Sequence, residues 1–181
     1  YTAMPTELPG VLLLEPKTFG DARGHFYESF NAREFERVTG LKREFVQDNH
    51  VFSVANVIRG LHVQIMRPQG KLGRVTSGEI WDVAVDVRRS SPSFGKHVGV
   101  RLTAESKQQL WVPEGFAHGY VSLSPTCEVI YKVTDYWVPD DERCIVWNDP
   151  TLGIKWPVSD APMVSAKDAA GFTLATSDLP A

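Results

Sequence analysis

The chain is 181 residues long, 43% apolar and 23% charged. Those values suit one globular domain that buries its own core, and they exclude collagen, a coiled coil or disorder as its main state. Lys and Arg number 19 against 22 Asp and Glu, a formal net charge of −3. Bulk charge therefore draws the chain neither to nucleic acid nor to an anionic membrane, and an anionic ligand requires a local basic pocket.

Valine (21 residues) outnumbers leucine (13), a β-branched excess that favours strands, and 14 Gly with 12 Pro supply frequent turns. In chain order, Asn31 and Glu34 ahead of Phe35 and Val38 form a capping-box pattern, which predicts a short helix stopped by Gly40. Gln47 and Asn49 are two apart and share one face of a strand. Residues 72–76 and 80–87 read as a hairpin around Ser77-Gly78. In its second arm Trp81, Val83, Val85 and Val87 face one way and Asp82, Ala84 and Asp86 the other. Residues 98–102, 110–112, 119–123, 127–133 and 145–147 are further strands, an all-β sandwich or barrel pattern. Ser165 and Asp168 open a second short helix, and the proline-rich stretch after Asn148 reads as a tail wrapping the core. Cys127 and Cys144 match no zinc spacing and read as buried thiols in a reducing compartment. With no membrane-length apolar run and no signal peptide, the expected location is the cytoplasm.

Phosphate-binding glycine loops, a dinucleotide fingerprint and a nucleophile elbow are all absent from the sequence. What stands out is Arg59-Gly-Leu-His62-Val-Gln64, then Gln69-Gly-Lys71, then Pro113-Glu-Gly-Phe-Ala-His118. Two histidines in strand-like segments beside glycines resemble the paired motifs of the cupin superfamily, a double-sheet jelly roll. Metal-binding cupins place two histidines around one residue in the first motif. Here Gln64 takes the second place, leaving only His62 and His118 as imidazole ligands, so neither a metal nor another cofactor is expected.

A longer ordered set narrows the resemblance: FGDARGHFYE (19–28), QDNH (47–50), RGLH (59–62), QGKL (69–72), DVAVDVR (82–88), SPSFG (91–95), VPEGFAHG (112–119), Tyr131-Lys132, IVWNDP (145–150) and SAKD (165–168). Together they resemble the dTDP-4-dehydrorhamnose 3,5-epimerases over roughly residues 8 to 172 of a single cupin-like domain spanning 1–181. The resemblance implies a metal-independent isomerase of rhamnose synthesis that acts on a dTDP-4-keto sugar. Such chemistry needs a base on one face of the sugar, an acid on the other and a cation or donor at the enolate oxygen. His62 suits the base because imidazole titrates near neutrality, and the family's His–carboxylate dyad puts Asp168 behind it. Tyr131, sharing a strand face with Cys127, Val129 and Val133, suits the acid, and Lys71 the enolate oxygen. By the same resemblance Arg23, Arg59 and Lys167 hold the diphosphate, with His118 near the sugar or phosphate. Gln47, Asn49 and Glu28 read the thymine or ribose, and Glu142 matches a substrate-binding carboxylate. Phe19, Phe26, Tyr136 and Trp137 are the candidates to stack on the base.

Arg59 and His62 have opposite parity on a regular strand, so both reach one cavity only if the strand bulges, which Gly60 permits. Val63 stands where the family usually carries Tyr, Gly73 where Val is common, and Val51-Phe52 where small polar residues are usual. These departures bear on substrate preference. The competing readings are a mono-epimerase of antibiotic sugars, a non-catalytic nucleotide-sugar-binding cupin and a metal-dependent cupin dioxygenase. The resemblance also implies a homodimer with N-terminal residues of one chain at the site of the other. On that expectation an exchanged strand in residues 11–30 buries Val11, Leu12, Leu13 and Leu14 and delivers Arg23 and Glu28 across the interface.

Overall fold

The structure, a computed structural model, describes residues 1–158 and 160–179. The chain opens with β1 (Thr2–Pro5) and β2 (Leu12–Glu15), a separate hairpin of β3 (Thr18–Asp21) and β4 (Gly24–Tyr27), and helix α1 (Ala32–Thr39). The body follows as β5 (Gln47–Val54), β6 (Val57–Gln64), β7 (Lys71–Ser77), β8 (Glu79–Asp86), β9 (His97–Thr103), β10 (Gln109–Val112), β11 (Phe116–Ser122) and β12 (Thr126–Val133). Short β13 (Glu142–Cys144), β14 (Met163–Val164) and helix α2 (Ala166–Ala169) close it. One sheet runs β1-β2-β10-β7-β12-β5 and the other β13-β6-β11-β8-β9, with β14 added parallel to β6. Every other pairing is antiparallel, giving the expected jelly-roll sandwich. Among the described residues no helix is long and apolar enough to cross a membrane.

Strand alternation distributes the apolar residues over three interfaces. Inward-facing Val75, Ile80, Ala84, Leu110, Val112, Cys127 and Val129 fill the space between the sheets. On β8 the opposite face (Val83, Val85), with Val87 just beyond it, packs under the C-terminal segment through Leu152, Trp156 and Leu174. Both faces of β8 are therefore buried, and its inward aspartates Asp82 and Asp86 are enclosed rather than solvated. Helix α1 covers the other sheet by laying Phe35 against Trp111, Leu72 and Leu14. Each such aliphatic side chain contributes about 1.5–3 kcal/mol on full burial. Asn31 caps the helix by accepting from the N–H groups of Arg33 and Glu34, and Gly40 ends it in the left-handed conformation.

Two expectations need correction. Residues 146–147 form no strand: the pairing lies earlier, in β13, and runs on only to Ile145, which exchanges backbone hydrogen bonds with Leu61 and bridges Phe172. Ile145 is wholly buried beneath the tail, and beyond it the apolar residues mark packing, not a ladder. Val11 and Leu14 of the run at 11–14 are already fully buried within one chain, where β2 pairs with β10, while Leu12 and Leu13 stay half-buried. The hairpin β3–β4 forms its own two-stranded sheet, with Phe19 and Phe26 exposed.

Candidate active site

A hollow of about 290 Å³ opens between the sheets, and His62, Asp168, Tyr131 and Lys71 all line it. So do Arg59, His118, Glu142 and Lys167. The four proposed reaction groups reach it from β6, α2, β12 and β7, so the sandwich itself fixes their spacing.

The bulge at Gly60 brings the β6 residues together. Ile58, Leu61 and Val63 all pack under the tail, a three-residue step that reverses the strand's alternation at Gly60. The reversal turns Arg59 and His62 towards the same hollow. Gly60 has φ +101°, and a Cβ there would stand 2.5 Å from the His118 carbonyl oxygen, so no other residue fits without displacing β11. Its N–H donates to Asp168 Oδ2 at 3.1 Å.

His62 Nε2 lies 2.7 Å from Asp168 Oδ1, leaving the ring's Nδ1 to exchange a proton with a ligand. Asp168 is 4% exposed. Burial pushes its carboxyl up, but the hydrogen bond and charge of His62 and the Gly60 N–H hold it below the ordinary carboxylate range. Ser165 caps α2 by accepting from the Asp168 N–H, which sets the carboxylate's approach.

A second His–Asp pair faces the same hollow. His118 is the direct cross-strand partner of His62, and its Nε2 sits 2.5 Å from Asp82 Oδ1. Sequence reasoning named His118 and missed Asp82, although a charged residue on the inward face of an apolar strand was a legible signal. Lys71 is buried beside them and donates to the His62 carbonyl oxygen at 3.2 Å. Burial lowers its ammonium to about 8, with Asp82 opposing that fall. Tyr131 lies across from these groups on β12; burial raises its phenol while Arg59 pulls it down. Tyr120, also missed, lines the hollow, and burial pushes it up to about 12. Gly73 leaves room here, since a Cβ on it would reach both Asp82 and Tyr131 at 3.8 Å.

The rim carries the charges suited to a diphosphate. Ser53 and the Phe52 carbonyl fix the Arg59 guanidinium, each at 3.0 Å. Lys167 is ion-paired with Glu142, which also accepts from Trp137 Nε1 at 3.3 Å. Of the four stacking candidates Trp137 lines the hollow; Tyr136 is next to it in the chain and exposed. Gln47 and Asn49 are on the face of β5 shared with Val51, which lines the hollow, and Gln47 also accepts from the Trp137 N–H.

Arg23, Phe26 and Glu28 are not brought to this hollow within the chain. Arg23 and Phe26 border a separate cavity of about 390 Å³ at the hairpin, where Arg23 pairs with Asp21 at 2.5 Å. Glu28 accepts from Asn31 at 3.0 Å. The donor set of a metal-binding cupin does not fit here. Gln64, in the place of the second histidine, points away to brace residues 136–138, accepting from the Val138 N–H and donating to the Tyr136 carbonyl.

Comparison with known proteins places this geometry. The family described as dTDP-4-dehydrorhamnose 3,5-epimerase matches residues 5–176. The dTDP-4-dehydrorhamnose 3,5-epimerase of Pseudomonas aeruginosa is 57% identical over 171 residues, 94% of each chain. A crystal structure of the Legionella pneumophila dTDP-6-deoxy-D-glucose-3,5-epimerase in complex with dTDP-4-keto-L-rhamnose superposes with a TM-score of 0.96 at 46% identity, covering 99% of this chain and 97% of that one. The Bacillus anthracis dTDP-4-dehydrorhamnose 3,5-epimerase, with TDP and pyrophosphate bound, gives 0.91 at 43% identity, covering 95% and 98%.

Proposed function

The chain belongs to the dTDP-4-dehydrorhamnose 3,5-epimerase family, and from that premise we propose that His62, Asp168, Tyr131 and Lys71 carry its reaction. It is an isomerase of dTDP-L-rhamnose synthesis that inverts carbons 3 and 5 of a dTDP-4-keto sugar. His62 Nδ1 takes the proton from carbon 3 or 5, which the neighbouring carbonyl acidifies, and Asp168 steadies the imidazolium that forms. The electrons of the broken C–H bond move to the carbonyl oxygen, where the Lys71 ammonium meets the developing charge. Tyr131 returns a proton to the opposite face of the carbon as the enolate collapses to the ketone; it then regains a proton from solvent, and His62 releases the abstracted one to solvent. The observation that carries this reading is the 2.7 Å His62–Asp168 bond in the one hollow that also holds Lys71 and Tyr131.

Arg59 and Lys167 hold the diphosphate, His118 the sugar or phosphate, and Gln47, Asn49 and Glu142 complete the binding set. Arg23, Phe26 and Glu28 act across a homodimer, with residues 1–181 as one epimerase domain. Support for that arrangement is the exposed hairpin, whose Arg23 side chain is 90% accessible. The test is turnover of dTDP-4-dehydro-6-deoxyglucose in deuterium oxide. Label at both carbons 3 and 5 of an epimerised product is expected. Label at one centre would reduce the chain to a mono-epimerase, and binding without exchange would make it a nucleotide-sugar-binding module.

A further inference from the structure

Cys144 has no part in the chemistry above, yet it sits against the proposed base. On β13 it is the direct cross-strand partner of His62 on β6, so both side chains share one face of the sheet. Its Sγ lies 3.7 Å from Asp168 Oδ1. A ring nitrogen of His62, the Sγ of Cys144 and a carboxylate oxygen of Asp168 all fall within 4.8 Å of one another. Asp168 lines both the hollow and a second cavity of about 360 Å³ beyond Arg59, His62 lines the hollow, and Cys144 is buried behind them.

We infer that His62, Cys144 and Asp168 form an inhibitory site for a thiophilic divalent cation of the zinc class. One nitrogen, one sulfur and one oxygen donor are a set zinc takes, with its fourth position left to water. Zinc–ligand bonds of 2.0–2.3 Å put tetrahedral donors about 3.4–3.7 Å apart. The Sγ–Oδ1 separation already falls there, and the 2.7 Å Nε2–Oδ1 bond needs only to open as the ion replaces the shared proton. The proton balance explains the inhibition. The ion takes the Nε2 lone pair, the proton formerly on Nε2 passes to Nδ1, and the Cys144 thiol releases its proton to solvent. A protonated Nδ1 has no lone pair for a carbon-bound proton. Binding of the ion stands on the donor geometry alone; its effect on turnover rests on His62 being the base.

Cobalt(II) is the probe for binding. Its titration into the whole protein is expected to give a thiolate-to-cobalt band in the near ultraviolet that survives in Cys127→Ser and is absent in Cys144→Ser. Since the chain has two cysteines, retention in Cys127→Ser assigns the band even if the Cys144 variant fails to fold. Zinc should inhibit turnover reversibly to a chelator, and Cys144→Ser should weaken that inhibition at least about tenfold. A wild-type protein without the band, or a band lost in Cys127→Ser, overturns the site. Equal zinc inhibition of wild type and Cys144→Ser overturns its inhibitory role. Failure of the epimerase assignment leaves the cobalt spectrum unaffected, so the two outcomes are separable.

Discussion

Lys71 is asked to be charged in a place that disfavours charge. Its folded value of about 8 lies below the ordinary lysine value of 10.5. Between those values the unfolded chain still holds the proton and the folded chain has lost it, so stability rises with pH across the window. Below pH 8 the buried ammonium costs a constant amount on the order of 3 kcal/mol. Lys71→Met is therefore expected to be more stable than wild type at pH 7, by chemical denaturation, with the gap closing towards pH 10. Its rate should fall about 10²–10³-fold, because the enolate oxygen loses its cation. Turnover of the wild type should decline above pH 8, and Lys71→Arg should shift that limb upward. The other groups divide the reaction into separable halves. His62→Asn, which keeps an N–H for Asp168, should lower turnover and solvent exchange together by about two to four orders of magnitude. Tyr131→Phe keeps the ring's packing, so exchange at carbon 3 or 5 should outlast product formation; equal loss of both would move Tyr131 to the first step or to binding.

At the scale of elements, the bulge in β6 decides whether there is a site at all. Gly60→Ala places a methyl 2.5 Å from the His118 carbonyl oxygen and 2.7 Å from Gly119 Cα, both backbone. A loss on the order of 2–4 kcal/mol in denaturant unfolding is expected, with activity falling further than the residual folded fraction explains. The parity conflict between Arg59 and His62 was legible in the sequence, because period-two alternation leaves no other way to aim both inward. The helix at Asn31, the turn at Gly78 and most strands were legible for the same local reason. Asp82 was only half legible: alternation set a charged residue opposite the valines of an apolar strand, but its partner His118 lies 36 positions away. The misplaced strand at 145–147 has a similar origin, since an apolar run reports burial without saying whether a ladder or a covering tail supplies it. Asp168 was named only through the family resemblance. Its partner His62 lies 106 positions away, and no local pattern encodes a bond of that span.

For the whole molecule, hairpin β3–β4 is the part that one chain leaves unused. It presents Phe19, Phe26 and Arg23 to solvent while the apolar strand before it is packed at home. An exposed aromatic pair beside an arginine suits a role in a neighbour's pocket. Mixing Arg23→Ala chains with His62→Ala chains should then restore activity, because one of the two sites in a mixed dimer keeps both groups. Sedimentation should give a dimer at working concentration. A monomer would defeat the shared site, and a stable heterodimer without regained activity would put Arg23 to some other use.

The carboxylate behind His62 arrives on α2, just after the parallel strand β14 docks on β6. On a ribosome, the strands that frame the hollow are all made before it. Until residue 168 is in place, His62 lacks the carboxylate that accepts from its Nε2 side. A chain truncated before residue 168 is therefore expected to keep the hollow's strands yet lose solvent exchange at carbons 3 and 5, because the proposed base has no acceptor behind it.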